Sequence, residues 1–136
     1  MRKSITRAVY ALAIATFVAT SCANSKATES NENETVKFQS VSVEEFAKCI
    51  ADTANVLLVD VRTAEEYGAG HIDNAINIDV KREDFDSIAN ADLPKDKTIA
   101  VYCRSGRRSK TASEILTGNG YTVVELDSGY NGWINK

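Results

Sequence analysis

Downstream of residue 35, apolar positions fall into two patterns that alternate along the chain. Residues 56–61 (Val-Leu-Leu-Val-Asp-Val) and 98–102 (Thr-Ile-Ala-Val-Tyr) are near-continuous apolar runs. Their β-branched and aromatic content predicts buried strands. Runs without polar alternation predict parallel strands covered on both faces. Residues 36–41, 75–78 and 121–126 predict three more strands. Between the strands, apolar residues recur at helical spacing: Val43, Phe46, Ala47 and Ile50; Phe85 and Ile88 within 83–89; Ala112, Ile115 and Leu116. Ser42 with Glu45, and Thr63 with Glu66, have the spacing of capping boxes, so helices are expected to start just after each. Pro94-Lys95-Asp96-Lys97 predicts a turn. Gly118-Asn119-Gly120 predicts a helix end, and residues 129–134 a short last helix. Strands alternating with helices predict one α/β domain over residues 36–136, with a mainly parallel sheet and helices on both faces.

The first 35 residues follow neither pattern. Arg2, Lys3 and Arg7 make a basic start, and residues 8–19 are uncharged and mostly apolar. That run is too short to cross a bilayer as a helix. With small residues after it, it predicts a signal peptide over residues 1–21. Ala19-Thr20-Ser21 precedes Cys22, an arrangement similar to a bacterial lipobox, though Ala19 stands where Leu is usual. The resemblance implies that Cys22 carries lipid and that the chain is exported and anchored to a bacterial membrane in the cell envelope. Ordinary cleavage nearby is the alternative. Residues 24–35 are rich in Ser, Asn, Glu and Thr and predict a flexible tether.

Composition narrows the picture only modestly. A chain of 136 residues holds one small domain, large enough for a core without staples. The net charge of −3 argues against nucleic acid, because the cations are local rather than spread as a stripe. One histidine and scattered cysteines give no metal-ligand spacing. No cofactor is expected, and a monomer is the simplest assembly.

The candidate chemistry lies where the strand at 98–102 hands over to a helix. Cys103 sits on that turn, followed by Arg104, Ser105, Gly106, Arg107, Arg108 and Lys110. Backbone N–H groups at a tight loop and helix start form an anion site. Such a setting, with neighbouring cations, lowers a thiol pKa and favours the nucleophilic thiolate. The alternative is a buried, inert cysteine, which four cations within seven residues do not suit. Cys49, beside the apolar face of the first helix, reads as a small core residue rather than a resolving thiol. Asp60 closes the strand at 56–61, the end where open α/β sheets place their sites. A buried carboxylate must be paired, so Asp60 and Arg62 are expected to hold a loop rather than exchange protons. His71, the only histidine, is the natural candidate for a base, but a thiolate already ionised by its loop needs none.

These residues resemble a known family. Cys103-Arg104-Ser105-Gly106-Arg107-Arg108 is similar to the active-site loop of rhodanese-like sulfurtransferases. Val59-Asp60-Val61-Arg62 with Glu65, Tyr67 and Gly70-His71-Ile72 resembles a second hallmark. Gly129-Tyr130-Asn131-Gly132-Trp133 resembles the closing Gly-x-x-x-Trp turn. The resemblance spans residues 38–133. It implies that Cys103 takes a sulfane sulfur from a small anionic donor such as thiosulfate and passes it to a thiol or cyanide-like acceptor. Arg104, Ser105, Gly106, Arg107 and Arg108 would bind the donor, and His71 would be mainly structural. A cysteine phosphatase or arsenate reductase would need arginine six positions after the cysteine, where this chain has Ser109. A non-catalytic sulfur carrier, thiol-redox or protein-binding module is the alternative from another class.

Overall fold

The computed structural model describes residues 37–136. The expected signal peptide, Cys22, the tether and Val36 lie outside the described residues. Five strands, β1 (Gln39–Val41), β2 (Val56–Asp60), β3 (Ile76–Asn77), β4 (Thr98–Tyr102) and β5 (Val123–Leu126), form one sheet in the order β1-β5-β4-β2-β3. Every pairing is parallel. The helices are α1 (Val43–Ile50), α2 (Ala64–Ala69), α3 (Phe85–Asp92), α4 (Arg107–Gly118) and α5 (Gly129–Ile134).

Side-chain alternation sorts the core into two layers. Val59 and Val61 at β2, Ile99 and Val101 on β4 and Val123 on β5 pack with Phe85 and Ala89 of α3 and Ala112 and Leu116 of α4. Leu58, Ala100, Tyr102 and Leu126 pack on the other face with Phe46 of α1, Tyr67 of α2 and Tyr130 and Trp133 of α5. Both faces of β2 and β4 are covered, which is why their sequences are apolar without alternation.

Both capping boxes form. Ser42 accepts from the Glu45 N–H and Thr63 from the Glu66 N–H, and each glutamate returns the bond to the cap. The element boundaries differ from expectation at several places, among them β5, which starts at Val123 rather than at residue 121. β1 starts at Gln39, where its register with Val124 of β5 begins. β3 is only two residues long. α3 covers Phe85–Asp92 rather than 83–89, and Leu93 closes it with an N–H bond to Ala89. Leu93 is extended, the conformation favoured for a residue before proline, here Pro94. Cys49 is half-buried at the edge of the core rather than within it, and like Cys103 it is a free thiol.

Several polar side chains are buried: Asp60, Arg62, Ser109, Ser113, Thr117 and Glu125. Among the described residues, every buried side-chain nitrogen and oxygen has a hydrogen-bond partner. Ser113 and Thr117 bond back to carbonyls one turn earlier, at Ser109 and Ser113. That back-bonding lets α4 present hydroxyl-bearing residues to the sheet without an orphaned group.

Candidate active site

β4 delivers Cys103 to the carboxyl edge of the sheet, and the chain then turns through Arg104–Gly106 into α4. Gly106 caps that helix in the left-handed region, at φ +99°. A Cβ there would lie 2.1 Å from the Asp127 carbonyl oxygen, so only glycine fits. The outer side of the turn is tied to α5. The Tyr130 N–H donates to the Cys103 carbonyl at 2.7 Å, and the Asn131 N–H to the Arg104 carbonyl at 3.0 Å. Gly129, at φ +61°, permits this approach, since a Cβ would sit 2.5 Å from Arg104 backbone atoms. With those carbonyls engaged outward, the loop turns its N–H groups toward the sulfur.

Cys103 is only 1% exposed. The expectation that four cations do not suit a buried sulfur is thus corrected: the sulfur forms the floor of the loop while Arg104 and Arg107 project into solvent. Burial pushes the thiol pKa up. Hydrogen bonds from the Ser109 hydroxyl and the backbone N–H groups of Ser109, Ser105 and Gly106 more than offset this, and the net shift is downward. The Gly106 N–H lies 3.1 Å from Sγ, and the Ser109 Oγ 3.4 Å. Of the two causes expected from the sequence, loop N–H groups and neighbouring cations, the hydrogen bonds are the principal one.

The arginines separate by role. Arg108 is captured by Glu66 of α2 in a bidentate pair, at 2.7 and 2.8 Å. That pair holds the Glu66 carboxyl down at about 2. Arg108 thus braces α4 against α2, while Arg104 and Arg107 are the exposed guanidinium groups of the loop. Ser109, at the sixth position after the cysteine, is fully buried and offers no charge to a tetrahedral oxyanion.

The neighbouring loop after β2 rests on a second pair. Asp60, fully buried, accepts from the Arg62 backbone N–H at 2.9 Å and from its guanidinium at 2.6–3.0 Å. Arg62 also donates to the Gly70 carbonyl at 2.7 Å and lies over the Tyr130 ring, 4.3 Å from its centroid. The Asp60–Arg62 pair therefore reaches the Cys103 loop through Tyr130. His71 stacks on Tyr67 at 3.8 Å, and its Nδ1 lies 2.9 Å from the Tyr67 carbonyl oxygen. That contact requires a proton on Nδ1, and both contacts tie His71 to Tyr67 of α2 rather than to the sulfur.

A shallow cleft of about 240 Å³ opens beside the loop, lined by Arg62, Glu66, Gly70, Arg104, Tyr130 and Asn131. A larger one of about 790 Å³ runs between α1, His71 and Trp133 and includes none of residues 103–108. Two residues of the site do not stand out in the sequence. Glu66 reads there only as a helix cap, and Glu125 lies inside an apolar strand. A charged residue at a core position of β5 is the available signal for the second.

The model of the rhodanese-like domain matches residues 42–136. A sulfurtransferase of Allochromatium vinosum is 36% identical over 94 residues, covering 68% of this chain and 85% of its own. The thiosulfate sulfurtransferase PspE of Escherichia coli is 46% identical over 71 residues, covering 52% of this chain and 67% of its own. The solved structure of a human single-domain sulfurtransferase superposes with a TM-score of 0.60 at 28% identity, over 74% of this chain and 98% of that one.

Proposed function

The chain belongs to the rhodanese-like family of sulfurtransferases, and we propose that it moves sulfane sulfur from thiosulfate or a similar anion through a persulfide on Cys103. The observation that carries this reading is the buried sulfur ringed by loop N–H groups, with its pKa lowered by them. The thiolate attacks the outer sulfur of the donor. The Sγ–S bond forms, the S–S bond of thiosulfate breaks, and sulfite leaves with the bonding pair. An acceptor nucleophile, a thiolate or cyanide, then attacks the outer sulfur of the persulfide and releases Cys103 as thiolate.

The loop N–H groups stabilise negative charge on the sulfur atoms during both steps. Arg104 and Arg107 draw the anionic donor toward the loop. Asp60, Arg62 and His71 hold the adjoining loop and take no proton. Two covalent enzyme forms in alternation require ping-pong kinetics. Initial rates at several fixed acceptor concentrations should give parallel double-reciprocal lines, and Cys103→Ala should turn over no faster than the uncatalysed mixture. Intersecting lines, or a turning-over Cys103→Ala, reject the persulfide route.

The same proposal extends to location. Residues 1–21 act as a signal peptide and Cys22 as the lipidated anchor, with residues 22–35 as tether, so the domain works at a bacterial envelope membrane. A single acyl chain holds weakly, so stable anchoring needs more than one on Cys22. Expressed in a bacterium, the wild-type chain should partition with membranes and Cys22→Ala should not. Equal partitioning of both rejects the anchor.

A further inference from the structure

Behind the sulfur lies a buried acid that the sulfur-transfer steps do not use. Glu125 is a fully buried residue of β5. Its Oε1 lies 2.5 Å from the Ser109 Oγ, and that same hydroxyl lies 3.4 Å from the Cys103 Sγ. The Ser40 hydroxyl of β1 donates to Oε2. Lys110 of α4 lies 3.4 Å from Oε2 and shares its ammonium with Asp127, at 2.7 Å. Ser109 therefore stands between two buried groups that can each carry negative charge.

A serine hydroxyl has one proton to donate. While Cys103 is a thiol, the chain is satisfied in one direction: the S–H donates to Ser109, and Ser109 donates to Glu125. Once Cys103 is a thiolate, both neighbours of Ser109 are acceptors and only one can be served. We propose that Glu125 is a positioning residue that competes with the Cys103 thiolate for the Ser109 hydroxyl proton, and so sets how readily the nucleophile ionises.

The competition has a consequence for the cycle, which rests on the persulfide reading. In the persulfide the charge sits on the outer sulfur, and the inner Sγ is a weak acceptor. Ser109 then returns to Glu125 without conflict. Glu125 thus raises the free thiolate relative to the loaded enzyme and favours loading. Lys110 and Ser40 moderate the effect, since each supplies Glu125 with an alternative partner.

The test reads thiol ionisation and does not depend on sulfur transfer. The full chain is alkylated with iodoacetamide across a pH series, and the rate at Cys103 is followed by mass spectrometry of its peptide. Glu125→Gln should move the midpoint to lower pH, because an amide competes poorly for the proton. Ser109→Ala should move it to higher pH, because the thiolate loses a donor. Glu125→Gln placed in the Ser109→Ala background should then shift the midpoint no further, which separates a route through Ser109 from the bare charge of Glu125. Ser40→Ala, a milder change on β1, should move it upward by leaving Glu125 more dependent on Ser109. An unmoved or raised midpoint in Glu125→Gln, an equal Glu125→Gln shift with and without Ser109, or an unmoved or lowered midpoint in Ser40→Ala overturns the proposal. If the chain moves no sulfur at all, these midpoints still decide it.

Discussion

Replacing Asp60 by asparagine keeps the side-chain shape and removes one buried charge. In the native structure Asp60 is fully buried and takes hydrogen bonds from the Arg62 backbone, Nε and Nη2. Asparagine retains one acceptor oxygen and turns an NH2 group toward a guanidinium that can only donate. Arg62, with a side chain 5% exposed, is left charged and half-paired. Breaking a buried pair by removing one partner costs about 3–5 kcal/mol. Typical domains hold only about 5–15 kcal/mol in total, so the variant should be marginal. For a domain of this size about 1 kcal/mol moves the melting midpoint by about 4–8 °C, which places the fall at roughly 12–40 °C. Calorimetry of wild type and Asp60→Asn in the same buffer reads it. The double variant Asp60→Leu/Arg62→Met, which leaves no orphaned charge, should recover most of the loss. A fall of only a degree or two in Asp60→Asn would refute the assignment of this pair as the brace of the second loop.

Other substitutions separate the remaining roles. Arg104→Ala and Arg107→Ala should raise the KM for thiosulfate, with little change in melting midpoint, since both side chains are exposed; steady-state kinetics and a thermal scan read the two effects apart. Arg108→Ala should instead lower stability, by losing its pair with Glu66. The pH dependence of that pair follows from the depressed Glu66 carboxyl, at about 2 against an ordinary 4.5. Its contribution, on the order of 1 kcal/mol for a partly exposed pair, is present in full above pH 4.5 and disappears as pH falls toward 2. The melting-midpoint gap between wild type and Glu66→Gln should therefore close over that window. Gly129→Ala forces a Cβ against the Arg104 backbone at a positive φ; it should cost at least about 1–3 kcal/mol and lower kcat, both measurable by denaturation and assay.

What can be read from the sequence is local. Ser42 with Glu45 and Thr63 with Glu66 are three residues apart, so their helix starts are legible in the amino-acid order alone. The uniform apolarity of residues 56–61 and 98–102 reflects strands with two covered faces, and the parallel sheet follows from it. The turn carrying Cys103 is legible for the same reason, because strand, loop and helix are contiguous. The contacts that define the site join distant segments. Arg108 meets Glu66 across 42 positions and Ser109 meets Glu125 across 16. No periodicity encodes which acid will reach which cation. The depth of the sulfur is hidden too, because side-chain charge says where Arg104 and Arg107 end and nothing about the floor beneath them. The end of α3 falls later than its apolar pattern suggests, because its last turn carries Asn90 and Asp92, which break that pattern, although Leu93 and Pro94 mark the stop.

The persulfide on Cys103 is the claim on which the proposed sulfur transfer stands. The most direct measurement is the mass of the full chain after incubation with thiosulfate and removal of excess donor, beside Cys103→Ser. A persulfide route predicts a gain of one sulfur atom in the wild type, discharged by cyanide or a thiol and absent from the variant. A wild-type chain that gains no mass while Cys103 still alkylates readily, or a variant that gains the same sulfur, would contradict it.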